Sequence, residues 1–444
     1  MSESTLDTWK PVTVRDLVEK HFCGPSPDCE ERQVFKSDEW GVLKTTAITW
    51  SGWDERAHKV LPKAYWNQPD IEVHSGDVLV TKAGPRHRVG VVCYVPSTRK
   101  QLVVSGKMIA LRPKVGVVDS AVLAGLIARQ APQKYIQDRT TGMAESQVNF
   151  ANEVLLNTPL NLPPLGEQRV IAQISERLDT ALHETEAIIA KLMAVKQGLL
   201  HDLLTRGIAA NGELRPPQAE APHLYKESPQ GWIPKEWEDT VLGAVTTWAS
   251  GGTPSRAVPG NWVGPIALLT PKDMKSFEMS DASEHISVKA AQLGSRVMPA
   301  DTVFIVVRGM ILAHTFPVVL GRQPMAFNQD VKAVTAGPHL SGRFLAHWFV
   351  ANSSHFLRKV TEATHGTKKL DMGDLVSMPI GVPALVEQHA IIERQAAINR
   401  QFTDESLYHA QLKALKTGLM DDLLTGRVRV TPLLAEAAQQ KGSA

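Results

Sequence analysis

Cysteine is scarce. Cys23, Cys29 and Cys93 are the only three in 444 residues, an odd number without CxxC spacing. That argues against a disulfide framework, and a structural zinc would need a fourth ligand from elsewhere. An excess of charge of one sign is also missing. Lys+Arg total 48 and Asp+Glu 46, a formal net charge of +2. A polybasic chain gripping nucleic acid by bulk charge is thereby excluded, although a local basic surface is not. No apolar run reaches the ~18 residues of a membrane span. The stretch Met1 to Lys10 is polar, without the apolar centre of a secretory leader. The expected compartment is the cytoplasm.

Catalytic motifs are absent as well. There is no GxxxxGK[ST] loop, no GxGxxG after a strand, no HExxH and no Asn-Pro-Pro-aromatic tetrapeptide. Nucleotide, dinucleotide and zinc-hydrolase sites are therefore not written in this chain. The histidines His285, His314, His339, His347, His355 and His365 fall together late in the chain but without ligand spacing. No nucleophile with a base beside it stands out. The expectation is no catalytic residue, no metal and no bound cofactor.

What is present is a globular chain, 43% hydrophobic and 21% charged, long enough for two to four domains at ~100–200 residues each. Its most informative feature is a repeat. Residues 167–208 align without a gap on residues 387–428, with 13 of 42 positions identical. In the stretch Leu192–Thr205 against Leu412–Thr425, nine of 14 match. The 220-residue offset is too long for a solenoid.

Each copy reads as one long helix. In the first, Ile171, Ile174, Leu178, Ala181, Ile188, Leu192, Val195 and Leu199 follow 3-4 spacing. In the second, Ile391, Ile398, Tyr408, Leu412, Leu415 and Leu419 keep part of that seam. Pro163-Pro164 and Pro383 sit where a helix begins, and Gly207 and Gly426 where it stops. About 40 residues make about 60 Å of helix, far beyond the usual globular length. Such an apolar stripe needs a partner, and the other copy is the obvious one. The pairing residues expected are Ile171, Leu178, Leu192, Leu199, Ile391, Ile398, Leu412 and Leu419.

A weaker repeat precedes each helix. Trp9 opens one unit and Trp237 the other. Ser75–Lys82 resembles Pro299–Arg308, an acidic turn, a β-branched strand and a basic residue. Leu102–Ala110 likewise matches Met325–Ala333. Each helix thus follows a variable α/β domain of about 150 residues. Between the units, Asn211–Glu236 carries prolines 216, 217, 222, 229 and 234 and is expected to be extended and exposed.

Charge is concentrated inside the domains. From Val78 to Val118 there are eight basic residues and no acidic one. Val331–Thr361 holds Lys332, Arg343, Arg358 and Lys359 with no acid. Such segments suit a phosphate backbone, with arginine reading guanine edges and Asn or Gln reading adenine edges. The DNA-binding candidates are Lys82, Arg86, Arg88, Lys107, Thr253, Arg256, Arg308, Asn328, Gln329, Lys332, Lys368 and Lys369. A solvated face with glycine turns is the plainer alternative.

The pattern resembles a known family. The helices open with Pro163-Pro164-Leu165-Gly166-Glu167-Gln168 and Pro383-Ala384-Leu385-Val386-Glu387-Gln388. They close with Gly198-Leu199-Leu200-His201-Asp202-Leu203-Leu204-Thr205 and Gly418-Leu419-Met420-Asp421-Asp422-Leu423-Leu424-Thr425. Gly231-Trp232-Ile233-Pro234, Gly251-Gly252-Thr253-Pro254 and Phe327-Asn328-Gln329-Asp330 add to the likeness in the second domain. Together these resemble the specificity (S) subunit of type I restriction–modification systems; the first domain lacks the Gly-Trp-Ile-Pro and Gly-Gly-Thr-Pro elements. The resemblance implies an α+β chain of two target-recognition domains joined by two long antiparallel coiled-coil helices, with a pseudo-twofold internal repeat. Residues 1–161 would form the first domain, 162–208 the central helix and 209–236 the linker. Residues 237–381 would form the second domain, 382–428 the C-terminal helix and 429–444 a tail. It further implies a non-catalytic subunit binding double-stranded DNA, with two methyltransferase (M) subunits and restriction (R) subunits as partners and no membrane. S-adenosylmethionine, ATP and Mg would belong to those partners, in a restriction endonuclease and adenine methyltransferase complex. The rod would then act as a ruler, setting two unlike half-sites about one helical turn (~34 Å) or somewhat more apart. A stand-alone DNA-modifying enzyme and a structural coiled-coil scaffold are the competing readings. The first predicts turnover by this chain alone. The second predicts that Arg86 and Arg88 can be lost without effect on DNA affinity.

Overall fold

A computed structural model describes residues 9–50, 52–362 and 366–435. His365, one of the histidines without ligand spacing, lies outside the described residues, as do residues 1–8 of the first domain and 436–444 of the tail. The chain divides into two units. One holds the residues up to Glu186 together with those from Leu407 onward; the other runs from Ala187 to Ser406. Each unit therefore contains one α/β domain, the first half of the long helix that follows it and the second half of the other long helix.

In the first unit the central sheet orders Val18–Phe22, Met108–Pro113, Val78–Thr81 and Val92–Tyr94, all antiparallel. The sequence dictates its burial. Val78, Leu79 and Val80 are buried, as are Ile109, Ala110 and Leu111, so both faces of the sheet are covered and the strands read as continuous apolar runs. The helix Ser120–Ala128 packs on it, capped by Asp119, whose carboxylate accepts from the Ala121 and Val122 amides. A smaller sheet pairs Leu102–Val103 in parallel with Gly41–Leu43, which pairs antiparallel with His58–Val60.

The second unit repeats this plan. Its larger sheet orders Thr246–Ser250, Val331–Ala336, Val303–Val306 and Val318–Gly321, with Glu278–Met279 added at the edge. The first four strands occupy the same order as the four of the first unit. Met325–Phe327 pairs in parallel with Ile266–Leu269, the counterpart of the parallel pair above. The matched segments of the sequence, Ser75–Lys82 with Pro299–Arg308 and Leu102–Ala110 with Met325–Ala333, hold equivalent strands. The helix Gly342–Ala351 stands where Ser120–Ala128 stands in the other unit, capped by Ser341. A two-stranded ribbon closes each domain just before its long helix: Lys10–Thr13 with Pro159–Leu162, and Glu238–Val241 with Pro379–Val382.

Both long helices have 41 residues, Leu165–Thr205 and Leu385–Thr425. Each ends at a glycine with positive φ, +65° at Gly207 and +74° at Gly426, the left-handed stop that glycine provides at least cost. Within each unit the two half-helices run antiparallel. In the first, Glu186 meets His409 and Asp179 meets Lys416; in the second, Lys196 lies over the Phe402 ring. Ile171, Leu192 and Ile391 are buried, and Leu178, Leu199, Ile398, Leu412 and Leu419 are half-buried. The seam otherwise departs from the apolar pattern. Ile188, Val195, Tyr408 and Leu415 are exposed. Thr185, Ile189, Lys196, His409 and Lys416 take the inward positions, which keeps a 3.5-residue period. Polar side chains hold those positions because each has a partner. Thr185 Oγ1 donates to the Ala181 carbonyl at 2.7 Å, and the others meet the opposite helix as above.

The proline-rich segment is not the extended, exposed linker expected. Tyr225–Ser228 and Gly231–Pro234 form a hairpin, and Arg215, Ala221, Tyr225 and Ile233 are buried. Tyr225 Oη donates to the Pro216 carbonyl at 2.6 Å and Arg215 pairs with Glu387. Interspersed apolar and aromatic side chains gave this stretch surface to bury, and the prolines only shaped its turns. No helix among the described residues is long and apolar enough to cross a membrane.

Candidate nucleic-acid interface

Each long helix starts at the same polar junction. Gln168 and Gln388 are buried, and each amide uses both ends. The Gln168 Oε1 accepts from the Asp119 amide at 2.8 Å and Nε2 donates to the Pro163 carbonyl at 2.8 Å. The Gln388 Oε1 accepts from Ser341 N at 2.8 Å, and Nε2 donates to the Pro383 and His339 carbonyls, each at 2.8 Å. Asp119 and Ser341 are the caps of the short domain helices, so the glutamine ties each domain to its own long helix. The preceding Glu167 and Glu387 pair with Arg429 and Arg215. The Glu-Gln motif is thus a structural fastening, which leaves ligand contacts to the domains.

In the second unit several candidates converge. A cavity of about 450 Å³ is lined by Thr253, Arg256, Arg308 and Asn328, with Lys272, Glu284, Met310 and Asp330 among its other walls. Thr253 and Arg256 come from the Gly-Gly-Thr-Pro loop, Arg308 from the end of Val303–Val306, and Asn328 from the turn after Met325–Phe327. Two of these loops are joined: Thr253 Oγ1 donates to Gln329 Oε1 at 2.7 Å. Arg308 and Lys369 face each other across an antiparallel bridge. Arg308, Lys369 and Lys272 are exposed, and no ion pair engages them among the described residues. Lys368 is drawn to Glu362 at 2.8 Å, and Lys332 donates to Ser250 Oγ.

Asn328 is engaged within its own turn. It is 8% exposed, its Nδ2 donates to Asp330 Oδ2 at 3.3 Å and its Oδ1 accepts from the Asp330 amide at 3.1 Å. Each end of the amide makes one hydrogen bond to Asp330, so Asn328 shapes the turn that carries Asp330. The neighbouring Asp273 carboxylate is penalised by burial, yet hydrogen bonds from Ser283 and Thr270 outweigh that and hold it below the ordinary carboxylate range.

The basic run of the first unit is more dispersed. Lys82 and Lys107 are neighbours, since the Lys82 amide donates to the Lys107 carbonyl at 2.8 Å. Lys107 is exposed, and Lys82 Nζ donates to Asn152 Oδ1 at 2.8 Å. Arg86 is exposed but pairs with Glu145 at 2.8 Å. Arg88 is half-buried, and its Nη2 donates to the Thr45 and Ile48 carbonyls and fastens that loop. Arg112 is likewise committed to the buried Asp77. A run that is one-sided in sequence is balanced in space by acids from outside it.

Sequence reasoning missed Trp262, Glu284, Lys272, Met310 and Asp330. The first two lie six and 28 residues from Arg256, and only the folded loops bring them to it.

The family model for the type I restriction modification DNA specificity domain matches this chain twice, over residues 7–193 and 234–412. The EcoEI specificity subunit of Escherichia coli is 34% identical over 200 residues, 44% of this chain and 33% of that protein. The EcoR124I/EcoR124II specificity subunit of Escherichia coli is 32% identical over 160 residues, 36% of this chain and 39% of that protein. Those matches span only a third to two fifths of the length of these relatives. The putative type I restriction enzyme MjaX specificity subunit of Methanocaldococcus jannaschii is 24% identical over 375 residues, 80% of this chain and 79% of that protein. Among solved structures, a chain from a type I R-M system in complex assembly and conformational transition aligns with a TM-score of 0.56 at 16% identity, covering 94% of this chain and 97% of that one. The type I restriction-modification S subunit from M. genitalium aligns with a TM-score of 0.52 at 13% identity, covering 95% and 98%. Those two likenesses concern the fold; the family match spans most of the chain and coincides with the two repeated domains, so this chain belongs to the type I restriction–modification DNA specificity family.

Proposed function

We propose that this chain is the non-catalytic DNA-recognition subunit of a type I restriction–modification assembly and reads a bipartite target, one half-site per domain. The observation that carries this is the double family match on two domains of one strand order whose cation-bearing loops differ in sequence. One scaffold used twice with different loops reads two different short sequences. The long helices join the two domains and fix the number of base pairs between the half-sites. Methyltransferase subunits using S-adenosylmethionine, and restriction subunits using ATP and Mg, supply the chemistry in the cytoplasm. Phosphate contacts set register and base-edge contacts set sequence.

The test is methylome sequencing of a strain expressing this chain with its methyltransferase subunit. The expected result is methylation within two short, unlike half-sites separated by a fixed spacer. A continuous short motif, or turnover by this chain alone, would overturn the reading. Inserting four residues near Ala187, about one helical turn, should change the spacer and leave both half-sites as they were.

A further inference from the structure

Resting on that reading, we infer that Arg256 is the side chain of the second domain that reads a base edge, and that the base is guanine. The Arg256 guanidinium lies 3.9 Å from the centre of the Trp262 ring. Its Nη2 donates to both oxygens of Glu284, at 2.7 and 2.8 Å. Trp262 is itself held, because its Nε1 donates to the Ser255 carbonyl at 3.2 Å and Asn261 Nδ2 donates to the same carbonyl at 3.1 Å. The loop that carries Arg256 is seated on backbone. A Cβ at Gly251 would come within 2.1 Å of the Phe327 carbonyl oxygen, and one at Gly252 within 2.5 Å of that of Gly294. A side chain normally free to explore many rotamers is thus fixed by a ring, a carboxylate and a rigid loop. Its Nε and Nη1 donors remain unengaged among the described residues.

The charge around Arg256 decides what it faces. Glu284 neutralises it and would repel a phosphate brought to the same place. A base edge carries no net charge, and guanine offers the paired O6 and N7 acceptors that a guanidinium fork matches. Arg308, Lys272 and Lys369, on the same side of the domain and without carboxylate partners among the described residues, have the opposite character and suit the phosphates. Neutralised and fixed, Arg256 discriminates between bases; exposed and without an ion pair among the described residues, the other three bind the backbone. Trp262 and Glu284 are positioning residues.

The experiment uses the full chain with its methyltransferase subunit and a duplex library randomised across the bipartite target. Arg256→Lys should lower the preference for one G·C pair in one half-site by roughly ten- to hundredfold, leaving the other half-site unchanged. Glu284→Gln should lower the same preference while raising affinity for all sequences, a pair of effects that loss of loop structure would not produce. Trp262→Ala should weaken the preference at that position alone. Should Arg256→Lys weaken every sequence alike and reduce the salt dependence by about one phosphate contact, Arg256 is a backbone ligand and the assignment falls. An unchanged target for Arg256→Lys would also overturn it while leaving the recognition reading intact. If the wild-type assembly selects no bipartite sequence, the recognition reading itself fails.

Discussion

Glu167 and Glu387 are the same residue of the same repeat, yet their surroundings differ. Arg429, the partner of Glu167, follows the second helix and is 33% exposed at its side chain. It stacks toward Trp9, whose indole Nε1 is buried and meets no acceptor among the described residues. Arg215, the partner of Glu387, follows the first helix and is only 8% exposed. Glu387 also accepts from Trp237 Nε1 at 3.1 Å and from the Ile208 amide at 2.8 Å. One junction pairs a buried carboxylate, 3% exposed at its side chain, with a half-exposed arginine; the other gathers a buried arginine, an indole and an amide around a carboxylate that is 12% exposed. A pseudo-twofold sequence therefore does not give equal energetics. The segment that follows each helix decides how tightly the opposite helix start is held.

Breaking the two junctions should separate them most. Glu387→Ala leaves an indole N–H and a backbone N–H unpaired and takes from the buried Arg215 its bidentate carboxylate, leaving it the Arg206 carbonyl at 3.1 Å and Glu236 at 3.6 Å, a loss of about 3–5 kcal/mol. Glu167→Ala leaves Arg429 able to turn to water, and a loss of about 1–3 kcal/mol is expected. Urea unfolding of the full chain, with hydrogen exchange at the Ile208 amide, measures both. Equal losses would show that burial of the arginine is not what distinguishes the copies.

The domain helices differ in their response to acid. His347 is buried against Phe277, with ring centroids 4.5 Å apart. Burial, with Arg343 and Lys196 nearby, pushes its pKa down to about 4. The equivalent helix Ser120–Ala128 has no histidine. Above pH 6.5 the ring is neutral whether the chain is folded or not. As pH falls from 6.5 toward 4 the unfolded chain binds a proton that the folded chain refuses, and stability is lost across that window. Replacing His347 with Phe should shrink the loss measured between pH 7 and 4.5 by about 2–3 kcal/mol. An identical pH dependence in the variant would remove this difference between the units.

The helix stops provide a third contrast. At Gly426 an added Cβ would meet the Trp9 ring at an ordinary 3.5 Å, so Gly426→Ala should cost only the left-handed backbone, ~1–2 kcal/mol. At Gly207 the Cβ would lie 2.2 Å from Glu387 Oε1 and 2.6 Å from Arg215 Nη1. Gly207→Ala should therefore lose a further ~1–3 kcal/mol, read as a lower unfolding midpoint.

Much of this architecture is legible in the sequence for a physical reason. Helix limits are local: the prolines before Leu165 and Leu385 and the glycines at 207 and 426 act on their own backbone. The strands Val78–Thr81 and Val303–Val306 are runs of β-branched residues after an acidic turn, again a local signal. The linker was misread because composition reports turn residues but not what Tyr225 and Ile233 pack against. The seam was misread at Ile188 and Val195 because hydropathy ranks them above Lys196 and His409, whereas pairing across the helices puts the polar residues inside. The site was half legible. Arg256 and Arg308 are visible as arginines, but which of them is neutralised depends on Glu284, and that is a tertiary fact.

The smallest expected effects concern the cations themselves, and they compare the domains as DNA ligands. In the second domain Arg308 has no carboxylate partner among the described residues, so replacing it with Ala should remove about one unit from the slope of log affinity against log salt. In the first domain Arg86 already spends its charge on Glu145, and Arg86→Ala should shift the slope by less. Arg88 donates to the Thr45 and Ile48 carbonyls and meets no carboxylate among the described residues. Its loss should leave the slope unchanged while destabilising that loop by about 1.5–3 kcal/mol, the range for hydrogen bonds from a charged donor. Titrating the assembled complex with duplex DNA at several salt concentrations orders the three. A slope change for Arg88 as large as that for Arg308 would mean that the arginine-rich loop of the first domain opens to meet DNA. The first domain would then refold its cation partners on binding, where the second presents its free cations already exposed.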